Sequence, residues 1–224
     1  MPNTQTSVPL YAQGEVLTAA NLNLTNSGIP VFATTVTRDA AFGGAGEKTL
    51  AEGQFAYLED SNATQYYDGA AWQTVNKFVQ LVNSQVTSVA TGTGTIPADD
   101  TIPQITEGDQ YMTLAITPKS ATNILTMNIN VLCSVNTTTH VTCALFQDAT
   151  ANALAATAFY SSTSTGMMTI AFNHRMVAGT TSATTFRIRI GSATGNTVTF
   201  NGDGSNRKFG GVAASSITIT ESTP

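Results

Sequence analysis

The chain has 224 residues, of which 42% are hydrophobic and only 10% are charged, and its formal net charge is −5. Its nine basic residues cannot form the cationic cluster that a phosphate backbone requires, so we exclude nucleic acid as a ligand. No apolar run reaches the roughly 20 residues that span a bilayer, so we expect no membrane partner.

Two cysteines are too few for a disulfide scaffold, which fits synthesis in a reducing cytoplasm. The first ten residues have neither the charged nor the apolar region of a secretory signal, so we expect none. Because charged residues are scarce, the surface must be covered largely by Thr, Ser, Asn, Gln and Gly.

The first predicted element is a short helix from Glu15 to Thr25, which Gly28 and Pro30 would end. Its apolar stripe consists of Val16, Leu17, Ala20 and Leu24. A helix of this length is marginal in water when it is isolated. Residues 1–30 are therefore predicted to pack on a partner subunit or on a larger particle.

Residues 31–77 are predicted to form a small β-module. Its strands are Val31–Ala33, Gln54–Leu58, Gln65–Tyr67 and Ala71–Val75. The turn at Asp68-Gly69 predicts a tight hairpin with an aromatic residue on each arm. Tyr66, Tyr67 and Trp72 can stack on sugars or pack as a core. We favour packing, because the module is poor in Leu and Ile.

Residues 78–224 are predicted to fold as an antiparallel jelly-roll sandwich of about eight short strands joined by Gly-, Ser- and Asn-rich turns. One clear period-2 run consists of Leu125, Met127, Ile129, Val131, Cys133 and Val135, and the same parity continues in Val141, Cys143 and Leu145. The turn-like residues 136–139 between these two runs predict a hairpin. Further strands are expected around His174, Ile188 and Ile217.

Three groups of segments resemble modules of tailed-bacteriophage fibre and spike proteins. Residues 14–23 resemble a stretch near the start of many tail and fibre proteins, and Thr37-Arg38-Asp39 with residues 67–72 looks like the β-module that follows it. Residues 95–110, with Ala115-Ile116-Thr117-Pro118, are similar to the opening of C-terminal domains of fibre-like proteins. This likeness resumes in residues 204–211 and 216–221.

The resemblance implies a homotrimer whose C-terminal jelly roll is similar to tumour-necrosis-factor-like heads. It implies that residues 1–30 attach to other virion proteins of the tail, collar or capsid, after synthesis in the host cytoplasm. The expected function is a tail fibre or appendage that contacts a host surface glycan or protein. The alternative is a capsid-attached head fibre, or a decoration protein that coats or reinforces the shell. No catalytic residue transfers with the resemblance, and we expect neither an enzyme nor a cofactor.

The acidic residues Asp99, Asp100, Glu107 and Asp109 are the strongest candidate for a metal site, because oxygen clusters can bind Ca²⁺. We favour a solvated turn, since Pro97 and Pro103 flank Asp99-Asp100-Thr101. The stretch 201–205 resembles the start of a calcium loop, but the twelfth position is Val212 rather than Glu. We therefore interpret it as a Gly-rich hairpin loop and expect no metal.

Cys133 and Cys143 share strand parity, so either a cross-strand disulfide or two buried thiols can be expected, and we favour free thiols. Two Cys and two His at these spacings do not make a zinc site. His174 lies on an apolar strand face, which indicates a core residue or, in a trimer, a pH-sensitive position near the three-fold axis. No nucleophile-base pair or phosphate-binding loop is present in the sequence, and a depolymerase is disfavoured.

Overall fold

The structure is a computed structural model that describes Val8, Val16 and residues 28–45, 47–75 and 77–224. The helix predicted from Glu15 to Thr25 lies outside the described residues, apart from Val16. The chain divides into two compact units between Lys77 and Phe78. Strands make up 51% of the structure and helix 4%. The predicted mainly β fold is therefore confirmed.

The N-terminal unit contains one sheet and one short helix. Its elements are β1 (Val31–Phe32), α1 (Thr35–Asp39), β2 (Phe55–Leu58), β3 (Ala63–Tyr67) and β4 (Trp72–Thr74). The strand order follows the chain, with β1 parallel to β2 and the other pairs antiparallel. Each strand overlaps a predicted one. Helix α1 was not predicted, because five residues are too few to show a helical period.

Helix α1 is fixed at its start and along its buried side. Thr34 caps it, since its backbone N–H donates to the Thr37 side chain at 3.0 Å and its own side chain accepts from the Thr37 N–H. The buried Arg38 donates to Asp39 at 2.8 Å and to Gln65 of β3. Its guanidinium lies 4.6 Å from the ring centroid of Trp72 in β4. A buried cation with three partners therefore joins the helix to the sheet.

The C-terminal unit is built almost entirely of strands. In chain order they are β5 (Phe78–Val86), β6 (Ala90–Gly92), β7 (Asp109–Ile116), β8 (Ile124–Val135), β9 (Thr139–Gln147), β10 (Ala155–Ser161), β11 (Met168–Val177), β12 (Thr184–Ser192), β13 (Val198–Phe200), β14 (Gly202–Asp203), β15 (Asn206–Arg207) and β16 (Ser215–Ser222). The first sheet has the order β10-β9-β12-β7. The second sheet has the order β5-β16-β8, with β11 on the other edge of β8. Strands β13 and β6 extend the second sheet, and β14 pairs with β15 as a small hairpin.

The chain alternates between the two sheets as it passes through the unit. After β7 in the first sheet comes β8 in the second, then β9 and β10 in the first, β11 in the second, β12 in the first and β16 in the second. This alternation is the topology of an eight-stranded jelly roll. The predicted hairpin of β8 with β9 is wrong. Both edges of β8 pair with β16 and β11, and both edges of β9 pair with β10 and β12.

The core lies between the two sheets and follows the predicted period of two. Leu125, Met127 and Val131 of β8 are fully buried, and so are Ile188 of β12 and Ile217 of β16. Because successive side chains of a strand point to opposite faces, the same strands present their polar residues outward. The sequence pattern therefore identified the inner faces of β8, β12 and β16 correctly.

Candidate functional site

The first sheet has part of its outer face covered by the chain itself. Ile96, from the loop that joins β6 to β7, is fully buried and packs against Phe146 of β9. Arg189 of β12 fixes the end of this loop, since it donates to the carbonyl of Glu107 at 2.7 Å and to that of Gly108 at 2.6 Å. The loop therefore occupies the centre of this face.

The second sheet has an exposed outer surface, which we call the open face. Its residues alternate with core residues on four neighbouring strands. They are Leu81, Asn83 and Gln85 of β5, Ser216, Thr218 and Thr220 of β16, Thr126, Asn128 and Asn130 of β8, and Ala171, Asn173, Arg175 and Val177 of β11. All of them are exposed or partly exposed. In the middle row Asn83, Thr218, Asn128 and Asn173 lie directly beside one another.

The open face is nearly neutral and mostly polar, with one exposed large apolar side chain on each of its two outer strands. Arg175 is the only charged residue in the set that defines it. Leu81 is 51% exposed and Val177 is 54% exposed, which is high for side chains of their size. A nearly neutral face of exposed side chains suits contact with another protein surface.

The acidic residues of the predicted turn are not brought together as a cation site. Asp99 accepts hydrogen bonds from the Thr101 backbone at 2.9 Å and from its hydroxyl at 2.6 Å. Glu107 accepts from a backbone N–H at 2.9 Å, and Asp109 accepts from Gly94 at 2.6 Å. Within the described residues no three His, Cys, Asp or Glu side chains are grouped as metal ligands. The contacts of Asp99 are those of the turn that we favoured.

Cys133 and Cys143 are buried thiols in different sheets. They belong to β8 and β9, which face each other across the core rather than pairing side by side. Burial raises the pKa of Cys133 to about 12 and that of Cys143 well above its ordinary value. Both side chains are therefore protonated and act as small core residues at neutral pH.

The stretch 201–205 is a structural junction. Asn201 has a positive φ of 55° and is fully buried. Its side chain donates to the Val86 carbonyl at 2.7 Å and accepts from the Ser215 hydroxyl at 2.7 Å. The following residues form the hairpin of β14 with β15. These contacts tie the end of β5 to the start of β16.

The aromatic residues of the N-terminal unit divide between two roles. Trp72 packs against the buried cluster around Phe32, as expected for a core ring. Its ring lies 5.7 Å from that of Tyr67. Tyr66 is 37% exposed and contacts the ring of Phe55 at 6.3 Å. Packing therefore accounts for Trp72, whereas Tyr66 lies on the more exposed side.

The two histidines occupy different faces. His174 of β11 has the inward parity of Met168 and Ile170 and is partly buried, as expected for a core residue. His140 of β9 is exposed, and its ring centroid lies 4.9 Å from that of Tyr160 in β10. The structure does not bring the two imidazoles to one site.

Burial lowers the pKa of His174 below its ordinary value of 6.5. The fold therefore stabilises the neutral form of His174. The resulting contribution to the stability of the folded state is complete above the pKa that His174 has in the unfolded chain. It is lost as the pH falls through the lower pKa of the folded state. We expect a lower melting temperature at pH 5 than at pH 7, and a smaller difference in His174→Gln. Circular dichroism melts test this, with the exposed His140→Gln as the control. An unchanged pH dependence in His174→Gln would contradict the prediction.

Two features escaped the sequence analysis. The open face depends on which strands are neighbours, and that pairing cannot be read from alternation alone. The second feature is Glu221, which is fully buried in β16. A sequence signal for it exists, because Glu221 continues the inward parity of Ile217 and Ile219. No helix of the described part of the chain is long and apolar enough to cross a membrane.

No family model and no curated protein matches the chain. Among solved structures, it is similar to dimeric latent PorU from Porphyromonas gingivalis, with a TM-score of 0.32, 6% identity, and coverage of 81% of this chain and 19% of that one. It is also similar to the structure of infectious bursal disease virus Gt strain, with a TM-score of 0.35, 12% identity, and coverage of 85% of this chain and 53% of that one. A third similar structure is the enzymatically active domain of bacteriophage CBA120 tailspike protein 4. Its TM-score is 0.24 and its identity 18%, and the match covers 54% of this chain and 18% of that one. The chain thus spans about half or less of these neighbours, two of which are viral.

Proposed function

We propose that the chain is a structural, non-catalytic protein of a tailed-bacteriophage virion that forms homotrimers and attaches to other virion proteins through residues 1–30. In this proposal the trimer is a tail fibre or tail appendage that contacts the host surface. The resemblance of residues 14–23 and 95–110 to fibre modules supports the virion location. The jelly roll of the C-terminal unit is the fold that the resemblance implies for the head of such a trimer.

The observation that carries the proposed assembly is the open face. A charge that is buried in a subunit contact without a partner costs free energy, so a surface that binds other copies of the same chain must be nearly neutral or must pair opposite charges. The open face meets the first condition, since Arg175 is its only charged residue. Within the C-terminal unit the loop before β7 covers the centre of the other sheet, whereas the residues of the open face are exposed or partly exposed.

A cyclic trimer also needs a second, different patch on each subunit. The edge strand β10 supplies one, because Phe159 is 47% exposed there. We propose that the edge around Phe159 of one subunit packs against the open face of the next subunit, where Leu81 and Val177 are exposed apolar side chains. Burial of these apolar side chains would stabilise the trimer through the hydrophobic effect.

Immunogold labelling of purified virions tests the proposed location. We expect an antibody raised against the full chain to label tails or tail appendages. Label on heads would replace the tail fibre with the capsid-attached head fibre or decoration protein. Virions without label, when the same antibody recognises the chain in infected cells, would contradict a virion role altogether.

A further inference from the structure

A shallow groove lies on the outer face of the first sheet, beside the loop that covers its centre. The floor is formed by Thr142 of β9 with Ala156 and Ala158 of β10, and the turn around Asp99 and Thr101 forms one wall. Its volume is about 250 Å³, and a second hollow of about 400 Å³ lies along the other side of the same turn. The two hollows share Asp99, Thr101 and Ala156 in their linings.

The floor of the groove holds an unpaired hydroxyl. Thr142 is 6% exposed, and its side chain forms no hydrogen bond with any described residue. It has outward parity, because the flanking Val141 and Cys143 face the core, so the hydroxyl lies on the groove side. This hydroxyl is open to the groove, so it can donate a hydrogen bond to a ligand or accept one from it.

The wall of the groove carries a fixed carboxylate. The two hydrogen bonds from Thr101 to one oxygen of Asp99 hold the side chain in place. The same bonds, first from the hydroxyl and then from the backbone, hold the pKa of Asp99 below its ordinary value. The carboxylate is therefore charged at neutral pH and can accept hydrogen bonds from hydroxyl groups.

An exposed aromatic ring lies one step along the same strand face. Tyr160 follows Ala158 by two residues on β10, which places it roughly 7 Å farther along the strand. Tyr160 is 53% exposed, and its ring is supported by the ring of His140 at 4.9 Å. A ring supported in this way offers an apolar face and a hydroxyl at one position.

We propose that this groove binds a neutral carbohydrate chain of the host surface, with Tyr160 stacking on a sugar ring and Asp99 and Thr142 bonding sugar hydroxyls. The inference rests on the proposed function and adds the ligand class and its site. The lining residues include Asp99 and Asp100 but no Lys or Arg, which disfavours an anionic glycan. On β10, Ala158 and Tyr160 point to the face opposite to that of Phe159, so the groove and the proposed subunit contact at Phe159 lie on different faces of the strand.

Binding of the fluorescently labelled full chain to cells of the propagating host strain tests the proposal. We expect binding that periodate treatment of the cells abolishes and that protease treatment leaves unchanged. Tyr160→Ala and Asp99→Asn should each reduce binding at least tenfold. Tyr66→Ala, which removes a similarly exposed tyrosine from the N-terminal unit, is the matched control and should bind like the wild type. Melting temperatures confirm that each variant is folded.

Three results would overturn the proposal: no binding by the folded wild-type chain, loss after protease but not after periodate, or equal binding by Tyr160→Ala and Tyr66→Ala. Virion labelling separates this failure from failure of the proposed function. If virions are labelled but the chain binds no carbohydrate, the virion role stands and the proposed binding site in the groove is wrong. Unlabelled virions would remove the virion role whatever the cells show.

Discussion

Replacing Glu221 by alanine is expected to lower the free energy of unfolding of the C-terminal unit by about 3 kcal/mol. The carboxylate of Glu221 is fully buried and accepts hydrogen bonds from the Asn123 side chain at 2.6 Å and from the Lys119 and Ser120 backbone at 2.8 and 3.4 Å. Gln80 of β5 also donates to it. Truncation would leave these donors buried without an acceptor, which costs more than the lost contacts themselves.

The same carboxylate predicts a loss of stability in acid. Burial by itself raises the pKa of Glu221, but the hydrogen bonds from Asn123, Gln80, Lys119 and Ser120 outweigh it and lower the pKa below its ordinary value of 4.5. Because the pKa of Glu221 is lower in the folded state than in the unfolded chain, the charged carboxylate stabilises the folded state. This stabilisation is present above the unfolded-state pKa and is lost as the pH falls through the folded-state pKa. This window lies below pH 4.5, so it is separate from that of His174.

Urea unfolding followed by circular dichroism at pH 7 and pH 3.5 measures both effects. The wild type should lose stability at the lower pH, and Glu221→Ala should be less stable at pH 7 with a smaller further loss in acid. Asp100→Ala, which removes an exposed carboxylate from the same unit, is the control and should unfold like the wild type. An unchanged midpoint in Glu221→Ala would show that the buried contacts do not stabilise the unit.

A single charge on the open face is expected to convert the trimer to a monomer. Light scattering of the full wild-type chain should give a mass three times the 23.3 kDa subunit, and Asn128→Glu should give the subunit mass. Asn128 lies in the centre of the open face, between Thr218 and Asn173. Each subunit contact would bury one added carboxylate against the neighbouring subunit, and an unpaired buried charge costs several kcal/mol.

Thr113→Glu is the matched control for this experiment. Thr113 is an exposed outward residue of β7 in the first sheet, so the same charge is added to the opposite face. This variant should remain a trimer. A monomeric wild type would remove the proposed assembly. A trimeric Asn128→Glu would move the interface away from the open face.

Much of the fold could be predicted because alternation records which side of a strand is buried. Met127, Ile188 and Ile217 were all placed on core faces, and the structure agrees. Alternation does not record which strands are neighbours. Two successive strands can bury the same alternate residues whether they pair as a hairpin or cross from one sheet to the other. The predicted pairing of β8 with β9 failed for this reason.

Predictions about sites depended on whether the residues act locally. The turn at Asp99 is made by contacts within three residues, so its interpretation needed no knowledge of the fold. The groove depends on β10 lying beside residues that are more than 50 positions earlier in the chain, and Tyr160 has no sequence signal that separates it from other strand tyrosines. Glu221 differs from these groove residues, because the sequence itself shows a carboxylate at a position where the alternate residues Ile217 and Ile219 are apolar.

The position of β16 has a consequence for synthesis of the protein. This strand, the last in the chain, lies between β5 and β8, which are among the first strands of the C-terminal unit. While the chain emerges from the ribosome, the facing edges of β5 and β8 have no partner, and open edges invite pairing with other nascent chains. The sheet can close only after residue 222 has left the exit tunnel, so this unit cannot complete its folding before its last strand has been made.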